Sequence, residues 1–304
     1  MKTIASPPKA IALPLLGAAA GLLIGCDSSP DEAESSNGEA PARHIALEGQ
    51  SNFRDLGGYE TADGRIVKWR QLFRTGELGS LSEADVAKIE ELNLETVVNF
   101  LLPEEIEKSG EDRLPEGVQP VLDPITGERS AELSRTAHQA ISSANFENLP
   151  AAINLEIHAI LMDEAKEQYA RLLRSAADPD KRPLAFHCSG GIHRTGTASA
   201  ILLSALGVPW ETVREDYLLT NIVNMDENAE TLAKLRSKAA ASRSIAPESV
   251  DMTNVEAFFI LEGAYIDGAL EAARKEYGSM EGYIREGLGL SEAEIEALKE
   301  SLLE

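Results

Sequence analysis

Apolar residues are distributed along this chain in three ways. Ala10 to Ile24 is a nearly continuous apolar run, preceded by Lys2 and Lys9 and closed by Leu23-Ile24-Gly25-Cys26. Asp27 to Pro41 is Ser, Glu, Asp, Gly and Pro with almost no apolar content. From Ile45 onward the apolar positions take up the periods of two and of three to four residues that mark strands and helices. Ile45 to Leu56 and Arg65 to Phe73 alternate as strands, with Asp63-Gly64 as the hairpin signal between them. Ser82 caps a helix from Glu83 to Leu92, with Asp85 in its first turn, and Glu95 to Leu102 returns as a buried strand. Glu104 to Gly117 reads as a charged loop, Val118 to Leu122 as a short strand, and Thr126 to Leu149 as a polar insertion with weak helical spacing that covers the site. Ala151 to Ala176 has helical spacing through Ile153, Ile157, Ile160, Leu161, Tyr169 and Leu172, and leads to a buried strand ending Leu184-Ala185-Phe186.

The remainder reads as helix. Thr197 to Leu206 is closed by Gly207, Trp210 to Thr220 is started by Pro209, and Asp226 to Ser242, Asn254 to Tyr277 and Met280 to Glu286 follow. A last helix is opened by Ser291 and Glu294 as a capping box. Phe258, Phe259, Tyr265 and Tyr283 are core residues by default, with one of them available to line a cleft. The predicted architecture is α/β: a mixed, mostly parallel sheet flanked by helices on both faces, an N-terminal hairpin at one edge and a helical C-terminal extension.

The ends and the charge refine this division. Residues 1–25 have the form of an export signal, and the residues before Cys26 resemble the bacterial lipobox, whose cysteine is acylated and becomes the mature N-terminus. A plain signal peptide or a single-pass anchor is the alternative, but about fifteen apolar residues are few for a span. Asp27 resembles an inner-membrane retention signal. Residues 26–44 are expected to be an acidic disordered tether, and 45–304 one catalytic domain on the periplasmic face of a bacterial membrane, held through lipid alone. The formal charge is −23, and loss of Lys2 and Lys9 makes the mature chain two units more negative. Such a surface excludes nucleic acid as a partner and repels anionic membranes. The only two cysteines are Cys26 and Cys188, so no disulfide is expected, and over-oxidation by peroxide is the expected mode of inactivation at Cys188. His44, His138, His158, His187 and His193 show no ligand spacing with cysteine, so neither a metal nor a cofactor is expected.

The densest chemistry lies between the last strand and the Thr197 helix, in His187-Cys188-Ser189-Gly190-Gly191-Ile192-His193-Arg194-Thr195-Gly196. A loop at a helix N-terminus presents free backbone N–H groups and the positive end of the helix dipole, which attract a phosphate dianion and favour a thiolate at Cys188. Arg194 supplies a planar donor fork for two phosphoryl oxygens. Ser189, Gly190, Gly191, Ile192, His193, Arg194 and Thr195 are therefore the candidate phosphate-binding positions, and the Thr195 hydroxyl is a candidate donor to the sulfur. The bland alternative is a buried cysteine followed by a tight turn.

This segment resembles the phosphate-binding loop of the cysteine-dependent protein tyrosine phosphatase superfamily. Ser51-Asn52-Phe53-Arg54-Asp55-Leu56-Gly57-Gly58-Tyr59, Leu72-Phe73-Arg74-Thr75-Gly76-Glu77-Leu78, Tyr217-Leu218-Leu219-Thr220-Asn221 and the tail from Tyr277 through Ser291 are similar to one bacterial branch of it. The resemblance covers about 45–304 and implies an α/β phosphatase fold, a phosphocysteine intermediate at Cys188 and no cofactor. It also implies a phosphorylated protein or small phosphoester as partner. Two departures stand out. Members of the branch usually carry Lys-Asp before the loop arginine, the aspartate serving as general acid, where this chain has Ile192-His193. His193 is one replacement, and Asp123, in a Pro-Gly-bounded loop as in other superfamily members, is the other. Asn99-Phe100-Leu101 stands where the branch commonly has Asp-Leu-Arg, removing a basic contact or an ion pair.

A loop with so few cations favours a singly phosphorylated group such as phosphotyrosine, unless Arg54, Arg74 or Lys68 enters the cleft. Arg54-Asp55 is expected to be a structural ion pair rather than a substrate clamp. Two alternatives are a phosphoinositide or inositol-phosphate phosphatase, and a phosphate-binding pseudophosphatase that lacks its acid.

Overall fold

The computed structural model describes residues 42–146, 149 and 153–304. The export signal, Cys26 and most of the expected tether lie outside the described residues. Among the described residues no helix is long and apolar enough to cross a membrane.

Five strands form one sheet: β1 (Arg54–Asp55), β2 (Leu72–Thr75), β3 (Thr96–Asn99), β4 (Gln119–Leu122) and β5 (Leu184–His187). Their spatial order is β1-β2-β5-β3-β4, with β1 antiparallel to β2 and every other pairing parallel. The mixed, mostly parallel sheet with an antiparallel edge is the architecture expected from the pattern. β5 is central, so both of its faces are covered, and alternate residues serve different cores. Leu184 and Phe186 join the larger core, and Ala185 joins a smaller one with Phe53, Phe73, Ile89 and Val97. This is why the strand reads as continuous apolar sequence rather than as alternation.

Helices α1 (Glu83–Glu90), α2 (Pro103–Ser109), α3 (Glu128–Ser143), α4 (Ile153–Glu164) and α5 (Lys166–Ala177) lie between the strands. Ser82 and Asp85 form the capping box at α1. After β5 come α6 (Arg194–Leu206), α7 (Trp210–Val223), α8 (Met225–Arg243), α9 (Thr253–Glu256), α10 (Gly263–Tyr277), α11 (Met280–Gly282) and α12 (Glu292–Leu302). α6 is buried on nearly all sides and is closed by Gly207 in the left-handed region, as its sequence predicts. Ser291 and Glu294 form the box that opens α12.

The structure departs from the pattern in several places, among them Ala165, where the expected Ala151 to Ala176 helix divides into α4 and α5. The N-terminal hairpin shrinks to the two-residue β1, because Phe53 to Leu56 is buried on both sides. The expected Asp63-Gly64 turn survives as a bridge between Glu60 and Ile66. Ile66 and Lys68 also pair, on the other side, with Glu304 and Leu302, so the C-terminal residues close back on this segment. The charged stretch after β3 contains α2, with Pro103 in its first turn and no buried residue, so it carries no apolar period to detect. The predicted Asn254 to Tyr277 helix is broken between α9 and α10. Asn221 bonds both the N–H and the carbonyl of Leu261, and Asn228 bonds the Phe259 carbonyl, which holds 257–262 as a strap.

Candidate active site

Cys188 follows β5 directly, and α6 begins at Arg194. The carbonyl groups of Ser189, Gly190 and Gly191 are engaged from outside the loop, and those of Ile192 and His193 accept from the Gly196 and Thr197 N–H groups of α6. Glu77 N–H donates to the Ser189 carbonyl (2.8 Å), the Asn52 amide to the carbonyls of Gly190 (3.0 Å) and Gly191 (3.3 Å), and Arg74 Nη2 to Gly191 (2.9 Å). Among the described residues, none of the backbone N–H groups from Ser189 to Arg194 donates a hydrogen bond within the chain. Uncommitted amides at a helix N-terminus are what a tetrahedral anion needs. Gly191 makes the tight path possible. Its φ is +67°, and a Cβ there would stand 2.7 Å from the Thr75 carbonyl oxygen and from the Asn52 amide nitrogen.

Arg194 is clamped before any ligand arrives. Its Nη1 and Nη2 donate to the two oxygens of Glu105 at 2.6 and 2.7 Å, and Nη1 also reaches the Phe100 carbonyl at 3.2 Å. Glu105 is fixed in turn by the Leu102 N–H (2.8 Å) at the start of α2. Burial opposes the charge on Arg194, but the Glu105 hydrogen bonds, and then the charges of Cys188 and Glu105, raise its pKa. Burial likewise disfavours the Glu105 carboxylate, and the Arg194 contacts outweigh it, so that its pKa is lowered. Such mutual fixing of a bidentate pair keeps the guanidinium plane aimed.

Behind the loop, His187 Nε2 lies 3.0 Å from Asp112, which also accepts from Asn99 Nδ2 (2.9 Å). Asn99 caps the Leu101 N–H with its own oxygen (2.8 Å). The residue that departs from the branch pattern thus has local work as a turn former.

Beneath the loop lies a buried charge cluster. Asp216 on α7 accepts from Arg74 Nη1 (2.5 Å) and Arg54 Nε (3.3 Å), and from the Tyr59 hydroxyl (2.9 Å). Arg54 also donates to Asn52 Oδ1, so the same cluster orients the amide that grips Gly190 and Gly191. Burial would raise the Asp216 pKa, but Arg54 and Arg74 bring it down to about 2. Arg54 and Asp55 do not pair with each other. Asp55 instead accepts from the N–H groups of Gly57 and Arg70. Both residues are structural, as expected, but through different partners. Lys68 donates to the Ser301 carbonyl, and none of Arg54, Arg74 and Lys68 lines the cleft.

Cys188, 3% exposed, sits in the floor of a cavity of about 350 Å³. α3 and α4 form its walls, together with Phe258 and Phe259 from the strap, and Ser189, Gly190, Ile192, His193 and Arg194 also line it. The polar insertion expected over the site is therefore α3. Asp123 is not brought to this cavity. It follows β4 and is held by Arg171 on α5 in a bidentate pair at 2.6 and 3.0 Å. His193 does line the cavity, with Nε2 3.0 Å from Asn154 Oδ1. Asn154 Nδ2 donates to the Ala257 carbonyl, so its oxygen is the acceptor and His193 Nε2 carries the proton. Burial, then Arg194, lowers the His193 pKa to about 4, which leaves the ring neutral at pH 7. The Thr195 hydroxyl lies 3.5 Å from the Thr75 carbonyl oxygen and, among the described residues, makes no hydrogen bond to the sulfur.

The residues missed in the sequence are Glu105, Asn52, Asp216 and the strap phenylalanines as a pair. Asn52 lies inside a quoted motif and Asp216 immediately precedes another. Glu105, one acidic residue among many, carries no such signal.

A cysteine-bearing loop with free amides, set between the central strand and a buried helix of an α/β sheet, defines an anion-binding centre of the phosphatase kind. The model of the tyrosine phosphatase family matches residues 45–304, and the chain belongs to that family as a protein-tyrosine-phosphatase enzyme. A Cupriavidus necator protein named "Putative tyrosine-protein phosphatase" is 30% identical over 259 residues, 83% of this chain and 87% of that protein. The triple specificity protein phosphatase PtpB of Mycobacterium tuberculosis is 25% identical over 285 residues, 84% of this chain and 98% of that protein.

Proposed function

We propose that this enzyme is an exported, lipid-anchored phosphatase that hydrolyses phosphate monoesters, phosphotyrosine in proteins foremost, through a phosphocysteine at Cys188. The observation that carries the reading is the loop whose Ser189, Gly190 and Gly191 carbonyls are tied back and whose six amides from Ser189 to Arg194 are, among the described residues, uncommitted, with Cys188 at its start and Arg194 at its end. The loop amides from Ser189 to Arg194 hold the phosphoryl oxygens, and the Arg194 fork joins them as charge shifts toward the leaving group. The Cys188 sulfur attacks phosphorus, the ester P–O bond breaks as S–P forms, and water then releases phosphate. Thr195 completes the first turn of the helix that supplies the field.

The choice of substrate is supported by the cavity. Among the described residues of its lining Arg194 is the standing cation, beside the neutral imidazole of His193, while its apolar walls suit an aromatic ring. The names of the two relatives agree with a protein substrate. Lipidation at Cys26 and a periplasmic location rest on the lipobox-like leader. Cys188→Ser is expected to abolish turnover of p-nitrophenyl phosphate while vanadate still binds. Unchanged turnover refutes the assignment, and a preference for phosphoinositide vesicles over phosphotyrosine peptides overturns the substrate choice.

A further inference from the structure

Neither residue named from the sequence as proton donor is placed to serve: Asp123 is paired with Arg171 away from the cavity, and His193 is neutral with its proton committed to Asn154. Among the described residues, the ionisable side chains that line the cavity are Glu105, His138, Cys188, His193 and Arg194. Glu105 gives both oxygens to Arg194 and one of them also to Leu102 N–H, so it has no proton to deliver. His138 differs from all of these. It lies on the third turn of α3, where Ser134, Ala137, His138 and Ile141 face the cavity at helical spacing. It is solvent-exposed, and no hydrogen bond to it occurs among the described residues. A positive charge on its ring would lower the Glu105 pKa further, after the larger effects of Arg194 and the Leu102 N–H.

We propose that His138 on α3 is the general acid and base of the reaction, reaching across the cavity to the ester oxygen held above Cys188. The inference rests on the phosphatase reading and supplies the group that the altered loop lacks. In the first half, the sulfur forms its bond to phosphorus and the P–O bond breaks with its electron pair on oxygen. The His138 imidazolium gives its proton to that oxygen, and the product alcohol or phenol leaves. In the second half, the neutral imidazole takes a proton from water as the water oxygen attacks phosphorus. The S–P bond breaks, and its electron pair returns to Cys188. A donor carried on the covering helix rather than in the loop also accounts for the absence of an acid at positions 192 and 193.

The test compares leaving groups in wild type and His138→Gln. On a phosphotyrosine peptide, whose phenolate is a poor leaving group, kcat/KM, which reports formation of the phosphocysteine and not its hydrolysis, is expected to fall by about 10²-fold or more. On 2,4-dinitrophenyl phosphate, which departs without a proton, the loss is expected to be at least about tenfold smaller. Dinitrophenyl turnover that still depends on Cys188 shows that the exposed substitution has not disturbed the fold. Equal losses on both esters, or no loss on the peptide, overturn the inference and leave the phosphatase reading standing. A wild type that hydrolyses neither ester overturns both.

Discussion

Asp216→Asn tests whether the buried charge cluster builds the phosphate loop. The carboxylate and both of its arginine partners are 1% exposed, so solvent cannot stand in for the lost charge. Asparagine keeps one oxygen for Tyr59 and Arg54, but turns an NH2 group toward Arg74 Nη1, donor against donor. Two guanidinium groups are then buried without a counterion. Breaking a buried ion pair by neutralising one partner costs about 3–5 kcal/mol. In a domain of this size each kcal/mol moves the melting temperature by about 2–4 °C, so a drop of roughly 6–20 °C is expected. Since Arg74 also holds the Gly191 carbonyl, kcat should fall even at temperatures where the variant is fully folded. Urea unfolding and steady-state kinetics on the same preparations provide the readout. In the double-mutant cycle with Arg74→Met, the combined loss should be smaller than the sum of the single losses, because Asp216 is needed mainly to neutralise the arginines. A stability loss below about 1 kcal/mol with unchanged kcat would refute the reasoning, since it would mean the cluster is hydrated or the loop holds itself.

Acid should weaken the fold earlier than carboxylate titration alone would. Burial, followed by the charges of His193 and Arg74, keeps the His158 pKa well below the usual imidazole value, and burial with Arg194 lowers that of His193 to about 4. The unfolded chain takes up these protons near pH 6.5, so the stabilisation is complete above that value and is lost as pH falls toward 4, up to about 3 kcal/mol for His193. Denaturant midpoints that are flat between pH 7 and 5 would contradict this. Gly191→Ala should cost about 1–2 kcal/mol for its left-handed backbone and more for the clash with Thr75 and Asn52. Turnover should be lost with it, and wild-type kcat in this variant would show that the loop tolerates another path.

The parts of the molecule that sequence disclosed are those with local rules. The capping boxes at Ser82 and Ser291 and the stop at Gly207 each satisfy backbone groups within a few residues, so the chain states them directly. The loop from Cys188 to Arg194 was legible for the same reason, its chemistry being contiguous. What was hidden depends on distance. Glu105 meets Arg194 89 residues away, and Asn52 meets the Gly190 carbonyl 138 residues away. α2 carries no buried face and therefore no period. The break between α9 and α10 is imposed by Asn221 and Asn228, which lie on earlier helices. Asp123 illustrates the converse. Its Pro-Gly surroundings mark a loop correctly, while the partner that occupies its carboxylate, Arg171, sits on α5.

The claim on which the account stands is that the Cys188 sulfur becomes bonded to phosphorus. The most direct measurement is acid quenching of the enzyme during turnover of a phosphotyrosine peptide, followed by mass spectrometry of the fragments. The account predicts one phosphoryl group on the fragment that contains Cys188, absent from Cys188→Ser. Phosphate release with no labelled intermediate at any quench time, or the group on a different residue, would contradict it.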